Sequence, residues 1–175
     1  MRESGGEEDE TYAWSVVALV LGENGWTGDA VYLLEEVLQI QKNKLGEDHP
    51  DTLQSMGNLA SRYSEAGRWT EALALSEQVL QLRKNKLGDD HPDTLLSMHS
   101  LAIEYSEAGR RTEALTLSEQ VLQLRKSKLG DDHPDTLQSM QLCTSLIEKR
   151  QEASISTAKP RSRHGLSKLW HKLRS

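Results

Sequence analysis

The sequence predicts an all-α protein built as a solenoid of antiparallel helix pairs, with about seven helices and a C-terminal tail. Residues 45–86 return as residues 87–128 with nine of 42 positions changed. Apolar residues inside each copy recur every three or four positions, and glycine or proline stands at each expected helix end. Because one short helix pair cannot bury its apolar face alone, successive pairs must stack into an extended core.

The repeat sets the predicted boundaries along the chain. A third copy begins at Leu129 and loses its pattern after Met140, and a worn copy precedes the two best ones. The predicted organisation is a disordered N-terminus at 1–8 and a repeat domain at 9–148, with units 9–44, 45–86 and 87–128 and a partial unit 129–148.

Each unit contains two amphipathic helices joined by a short turn. Leu53, Met56, Leu59, Ala60 and Tyr63 mark the first helix, and Ala72, Leu75, Val79 and Leu82 mark the second. Gly67 should end the first helix at positive φ, and the Thr70 hydroxyl should cap the second. Pro92 and Asp93 should open the next unit. Ala60, Ala72, Ala102 and Ala114 are the expected points of close helix approach.

Composition indicates a soluble, cytoplasmic protein. The 175 residues carry a formal charge of −6 and a mean hydropathy of −0.63. The longest apolar run, 14–21, is too short to span a bilayer and lacks the basic flank of a signal peptide. Cys143 is the sole cysteine, which excludes an intramolecular disulfide and predicts a buried, inert thiol in a reducing compartment.

The spacing of Leu59-Ala60, Tyr63, Gly67 and Ala72 resembles the tetratricopeptide repeat, in the 42-residue form of kinesin light chains and fungal nucleotide-binding sensors. The resemblance spans roughly 9–148, although Met56 replaces the usual Trp and Ser76 and Val79 replace an aromatic residue and Ala. It implies a right-handed superhelix whose first helices line a concave groove that binds peptides.

Several other activities are not expected from the sequence. It contains no G-x-x-x-x-G-K-[ST] motif for NTP hydrolysis and no heptad pattern before residue 9. The family's carboxylate clamp needs Lys, Arg and Asn at places that hold Gly57, Ser61, His99 and Ile103. Chaperone binding of that type is therefore not expected.

No enzyme, cofactor or metal site is predicted either. Ser, His and Asp recur in every unit, so no unique catalytic set stands out. His49, His91 and His133 occupy equivalent linker positions, and helix layers of about 8–10 Å would keep them too far apart to share one zinc ion. We expect these histidines to serve the linker.

The differences between the two best units predict the functional surface. Five of the nine lie on the first helix, where Gln54, Gly57, Asn58 and Ser61 form one stripe away from the core. Free drift of exposed positions is the alternative explanation. The predicted partner-binding residues are Gln54, Gly57, Asn58, Ser61, Glu65, Leu96, His99, Ser100, Ile103, Glu104 and Glu107.

The character of this surface suggests its partner. Leu96 and Ile103 are apolar, as are Val16, Leu19 and Val20 in the first unit, and acidic residues surround them. A peptide with hydrophobic anchors and basic neighbours would fit, so the sequence predicts a protein-binding adaptor with no small-molecule substrate. The apolar run 16–20 could instead be a broken edge that packs against an earlier repeat or a second copy. The alternative function is a repeat-only piece of a larger sensor or kinesin-light-chain-like protein, with a structural or oligomerisation role.

The composition changes abruptly at Lys149. Residues 149–175 carry a charge of +7 and residues 1–148 a charge of −13. We predict a flexible basic linker at 149–165 and a short basic amphipathic helix at 166–175. The apolar face of this helix consists of Leu166, Leu169, Trp170 and Leu173.

Three interpretations of the tail stay open. It could cap the last repeat, it could dock in the acidic groove of its own chain or of another copy, or it could contact an anionic membrane. Nucleic acid is not expected as a partner, because the tail has one aromatic residue and the acidic body would repel the polymer.

Overall fold

In this computed structural model the described residues are 13–157, except 15, 19 and 23, with 153–157 described by their backbone alone. Every regular element among them is helical, which confirms the predicted fold class. Helical residues 13, 14, 16–18 and 20–22 come first, followed by α1 (Thr27–Leu45), α2 (Pro50–Glu65), α3 (Trp69–Leu87), α4 (Pro92–Glu107), α5 (Arg111–Leu129) and α6 (Pro134–Thr157). The segments 1–8 and 166–175 lie outside the described residues.

The core is a continuous stack, in which each helix packs against the next one in sequence. One buried cluster joins α1, α2 and α3, and a second joins α3, α4 and α5. Adjacent residues of α3 pack in different clusters: Val79 packs in the first and Leu80 in the second. The four predicted contact alanines, Ala60, Ala72, Ala102 and Ala114, are fully buried.

The turns inside the units begin as predicted and end differently. Gly67 and Gly109 follow α2 and α4 with φ of 73° and 79°, values that favour glycine. The prediction that Thr70 caps the second helix is wrong. The helix α3 begins one residue earlier, at Trp69, and no side chain caps it.

An arginine cluster lies at this turn, next to the uncapped start of α3. The Arg68 guanidinium lies 4.2 Å from the centre of the Tyr63 ring, and its Nε donates to Glu71 at 3.0 Å. The Tyr63 hydroxyl donates to Glu35 of the preceding unit at 2.6 Å. Arg110 and Tyr105 repeat the arrangement one unit later. These bonds tie each turn to its own unit and to the previous one.

The linkers between units hold the three equivalent histidines. Each lies immediately before a helix, and its Nδ1 accepts a hydrogen bond from the backbone N–H two residues later, at 3.2–3.3 Å. Proline occupies the first helical position at Pro50, Pro92 and Pro134, as the sequence predicted. The histidines are therefore N-caps, a specific form of the linker role expected for them.

The last helix is longer than predicted. It runs to Thr157, so the expected linker start at Lys149 is wrong for residues 149–157. The first helices of the complete units end two residues before Gly67 and Gly109, but the residue equivalent to these glycines here is Gln151. Without that glycine, nothing in the sequence favours a turn at this point, and the helix continues.

The cysteine and the hydropathy of the helices can also be compared with the sequence predictions. The thiol of Cys143 is buried and donates to Ser118 Oγ at 3.3 Å, which confirms the predicted burial. Within the described residues, no helix is both long enough and apolar enough to cross a lipid bilayer.

Candidate functional site

A groove runs between the two first helices α2 and α4, with the second helix α3 as its floor. It encloses about 160 Å³. Its lining consists of Leu53, Gln54, Gly57, Asn58 and Ser61 from α2, Ser76, Val79 and Arg83 from α3, and Leu96, Ser97, Ser100 and Glu104 from α4. The structure thus brings seven of the eleven predicted partner-binding residues together.

Helical periodicity explains how α2 presents this wall. Met56 and Leu59 are buried in the core, whereas Gln54 and Ser61 are exposed on the groove side. The Gln54 amide donates to Asn58 Oδ1 at 3.1 Å, so two of the wall residues hold each other. Gly57 lies between them and leaves the wall open at its centre.

The groove collects the positions at which the units differ. Seven of its twelve lining residues are such positions. A larger depression of about 400 Å³ lies mainly between the second helices α3 and α5, but only Thr116 among its eleven lining residues differs from its counterpart in the other unit. A third depression, of about 720 Å³, lies along α5, and only Asp89 and Thr116 among its nine lining residues differ between units. Size therefore favours these two depressions, whereas sequence variation favours the groove. Sequence variation is the more informative property, because a recognition surface diversifies on an unchanged scaffold.

Glu104 is the most unusual group in the groove. The residue is 8% exposed, and its Oε2 is buried and has no hydrogen-bond partner among the described residues. Burial raises the pKa of this carboxyl, and the nearby charge of Glu107 raises it further, while a hydrogen bond from Ser76 partly offsets both. A ligand could reach this oxygen only after the neighbouring groove side chains move aside, and the oxygen would then accept a hydrogen bond from an ammonium, guanidinium or amide group.

The floor residues were not predicted from the sequence. Arg83 Nη1 donates to Ser97 Oγ at 2.6 Å and to the Asp93 carbonyl at 3.2 Å, which holds the guanidinium against the α4 wall. The equivalent Arg125 makes the same bonds to the next unit, to Ser139 and the Asp135 carbonyl. These residues do not change between units, so the comparison that found the walls could not find the floor.

Four predicted residues do not line the groove. His99 is 7% exposed, and burial lowers its pKa, followed by the charge of Arg125. Its assignment as partner-facing does not hold, because the imidazole is enclosed near α5. Glu65 is exposed and paired with Arg62 at 2.7 Å, and Ile103 and Glu107 are exposed outside this groove.

The predicted apolar patch in the first unit is partly described. Val16 and Val20 are 41% and 50% exposed, as expected for either a binding patch or an open edge. Residues 15 and 19 of the same stripe lie outside the described residues.

In the described part of the chain, no group of three or more His, Cys, Asp or Glu side chains could hold a metal ion.

Comparison with known proteins identifies the repeat. The tetratricopeptide repeat family model matches residues 9–85 and 63–127. The fold is similar to that of a kinesin-light-chain-like protein of Podosopora anserina with nearly identical TPR-like repeats, in a crystal structure of one of its variants. The identity is 30% and the TM-score is 0.74, and the match covers 94% of this chain and 73% of that one.

A second structure of that Podosopora anserina protein matches at 30% identity and TM-score 0.68, with 88% and 79% of the two chains covered. BtubC (BKLC) from P. vanneervenii shares the fold at 18% identity and TM-score 0.67, covering 87% of this chain and 67% of that one. No curated protein matches the sequence.

Proposed function

The chain belongs to the tetratricopeptide repeat family, in its kinesin-light-chain-like form, and from this premise we propose that it is an adaptor without catalytic chemistry of its own. It binds a peptide segment of a partner protein in the groove between α2 and α4. The observation that carries this proposal is the concentration of inter-unit differences in that groove, above a floor that stays the same.

The groove chemistry defines the peptide we expect. Leu96 is 53% exposed on one wall, so an apolar anchor can be buried against it, while Val79 in the floor is only 4% exposed and adds little surface. When the groove side chains around Glu104 move aside for the peptide, its unpaired carboxylate oxygen can bind a Lys or Arg side chain. The preferred ligand is therefore an extended or helical peptide with an apolar residue close to a basic one.

The cysteine content bears on the compartment of the protein and its partner. The only cysteine is a free, buried thiol, and such a protein needs no oxidising compartment to fold. We therefore propose a cytoplasmic partner.

The test is selection of binders from a displayed random peptide library, followed by affinity measurement on three proteins. These are the intact chain, the Leu96→Glu/Ser100→Glu variant, which changes two exposed residues of the groove wall, and the Thr116→Glu/Gln120→Glu variant. The last is the matched control, since it adds two carboxylates to exposed residues that line the other depression. We expect the first variant to lose binding by about tenfold or more and the control to keep it.

Circular dichroism should show equal helix content in all three proteins. If the groove variant folds and binds as tightly as the intact chain, the groove is not the binding surface. If the control variant alone loses binding, the depression between α3 and α5 takes its place.

A further inference from the structure

The last helix presents an apolar face that nothing covers in the described part of the chain. Leu137 and Met140 are 51% and 39% exposed. Their counterparts one unit earlier, Leu95 and Met98, are 3% and 1% exposed, because α5 packs over them. The third unit thus keeps a core-type first helix but has no second helix in the described residues.

An acidic side chain is left without its usual partner in the same unit. In the first complete unit, Lys86 near the end of α3 binds Asp48 at 3.0 Å. In the second, Lys128 near the end of α5 binds Asp90 at 2.8 Å. The equivalent residue of the third unit is Asp132, and no ion pair joins it to any described residue. One missing element therefore accounts for both the uncovered apolar face and the unpaired aspartate.

The sequence of residues 166–175 contains what such an element needs. Leu166, Leu169, Trp170 and Leu173 fall at i, i+3, i+4 and i+7, so a helix formed by this segment has one apolar face, and Lys172 stands near its C-terminal end. We propose that residues 166–175 form a helix that packs antiparallel on the exposed face of α6, in the place of the missing second helix, with Lys172 near Asp132.

Chain length permits this return. Ile147, which is 41% exposed, continues the apolar face of Leu137 and Met140. It lies ten residues before Thr157, which is about 15 Å along the helix axis. Residues 158–165 can span at most about 26 Å, so they can bring residue 166 back beside Ile147. A ten-residue helix is about 15 Å long, the same as the separation of Ile147 and Leu137. The antiparallel direction places the basic end of the tail beside the acidic start of α6, which holds Asp131, Asp132 and Asp135.

Hydrogen exchange of the amides of residues 134–149 tests the proposal. The proteins are the intact chain, the full-length Leu169→Glu/Trp170→Glu variant and a chain ending at Thr157. The matched control is Lys159→Glu/Arg161→Glu, which alters charge in the connecting segment and removes no apolar side chain. We expect about tenfold faster exchange in the first variant and in the shortened chain, and wild-type exchange in the control.

The charge contact has its own test. Lys172→Asp should speed exchange at residues 134–149, and adding Asp132→Lys should restore protection. Amides of 92–107 serve as an internal folding control, because they lie under α5 in every variant.

Three results would overturn the proposal. Equal exchange in all proteins would show that the tail does not cover α6. Protection that increases with protein concentration would assign the face to a second copy of the chain. Protection by the tail at residues 50–65 instead of 134–149 would mean that it occupies the groove.

Discussion

Replacement of Gly57 by alanine tests the geometry of the groove wall at a single atom. Gly57 lies in the interior of α2, and its φ is not among the positive values found for glycines in this chain. A Cβ at this position would meet no heavy atom within 4 Å. Glycine in a helix interior costs about 0.5–1 kcal/mol relative to alanine, so Gly57→Ala should raise the free energy of unfolding by that amount. For a chain of this length, the melting temperature should rise by about 1–4 °C.

The assay is urea unfolding followed by circular dichroism, with Gly28→Ala as the matched control. Gly28 is also helical, exposed and free of neighbours around its Cβ, but it lies in α1, away from the groove. Both variants should be at least as stable as the parent protein. Only Gly57→Ala should weaken binding of the selected peptide, because its methyl group narrows the groove. If Gly57→Ala lowers the free energy of unfolding, then Gly57 does not have an ordinary helical backbone with open space around its Cβ. If peptide affinity does not change, the ligand does not approach Gly57.

Three other predictions concern a buried carboxyl group, a helix N-cap and two tyrosines. Glu104→Gln should raise the free energy of unfolding at pH 7, because it removes a buried charge. Because burial raises the pKa of Glu104, the parent protein should lose stability relative to this variant as the pH rises through that pKa. Urea unfolding midpoints measured from pH 4 to pH 8 would detect the difference. His91→Ala should lower the free energy of unfolding by about 1 kcal/mol in the same assay, since the cap bond from the Asp93 N–H is lost. Burial, together with bonds to Glu35 and Glu77, raises the pKa of Tyr63 and Tyr105 to about 12, so stability should fall between about pH 10 and 12, and less so in a variant with both residues changed to Phe.

The sequence predicted the scaffold well because the repeat gives each core position two nearly identical copies. The buried positions and the glycine turns follow from periodicity and from backbone preference, which are local properties. The exposed wall of α2 also followed, since an outward stripe on an amphipathic helix needs no knowledge of the neighbouring helices.

What the sequence did not predict depends on contacts between helices. His99 has the helical position of Gly57, but its side chain is long enough to be enclosed near α5, which a helical wheel does not show. Ser76 and Arg83 belong to the second helix and became groove residues only when α3 packed beneath α2 and α4. The arginine cluster at Arg68 likewise requires Tyr63 and Glu35 from separate helices.

The most direct test of the central claim is the affinity of a library-selected peptide for the intact chain and for Glu104→Gln, with the peptide's basic residue present or replaced by norleucine. If the groove recognises a basic residue through Glu104, replacing that residue should weaken binding to the intact chain by about tenfold and have little further effect on Glu104→Gln. If the replacement weakens binding equally in both proteins, the basic residue does not contact Glu104, and the assignment of this groove as the recognition site for a basic, apolar peptide is contradicted.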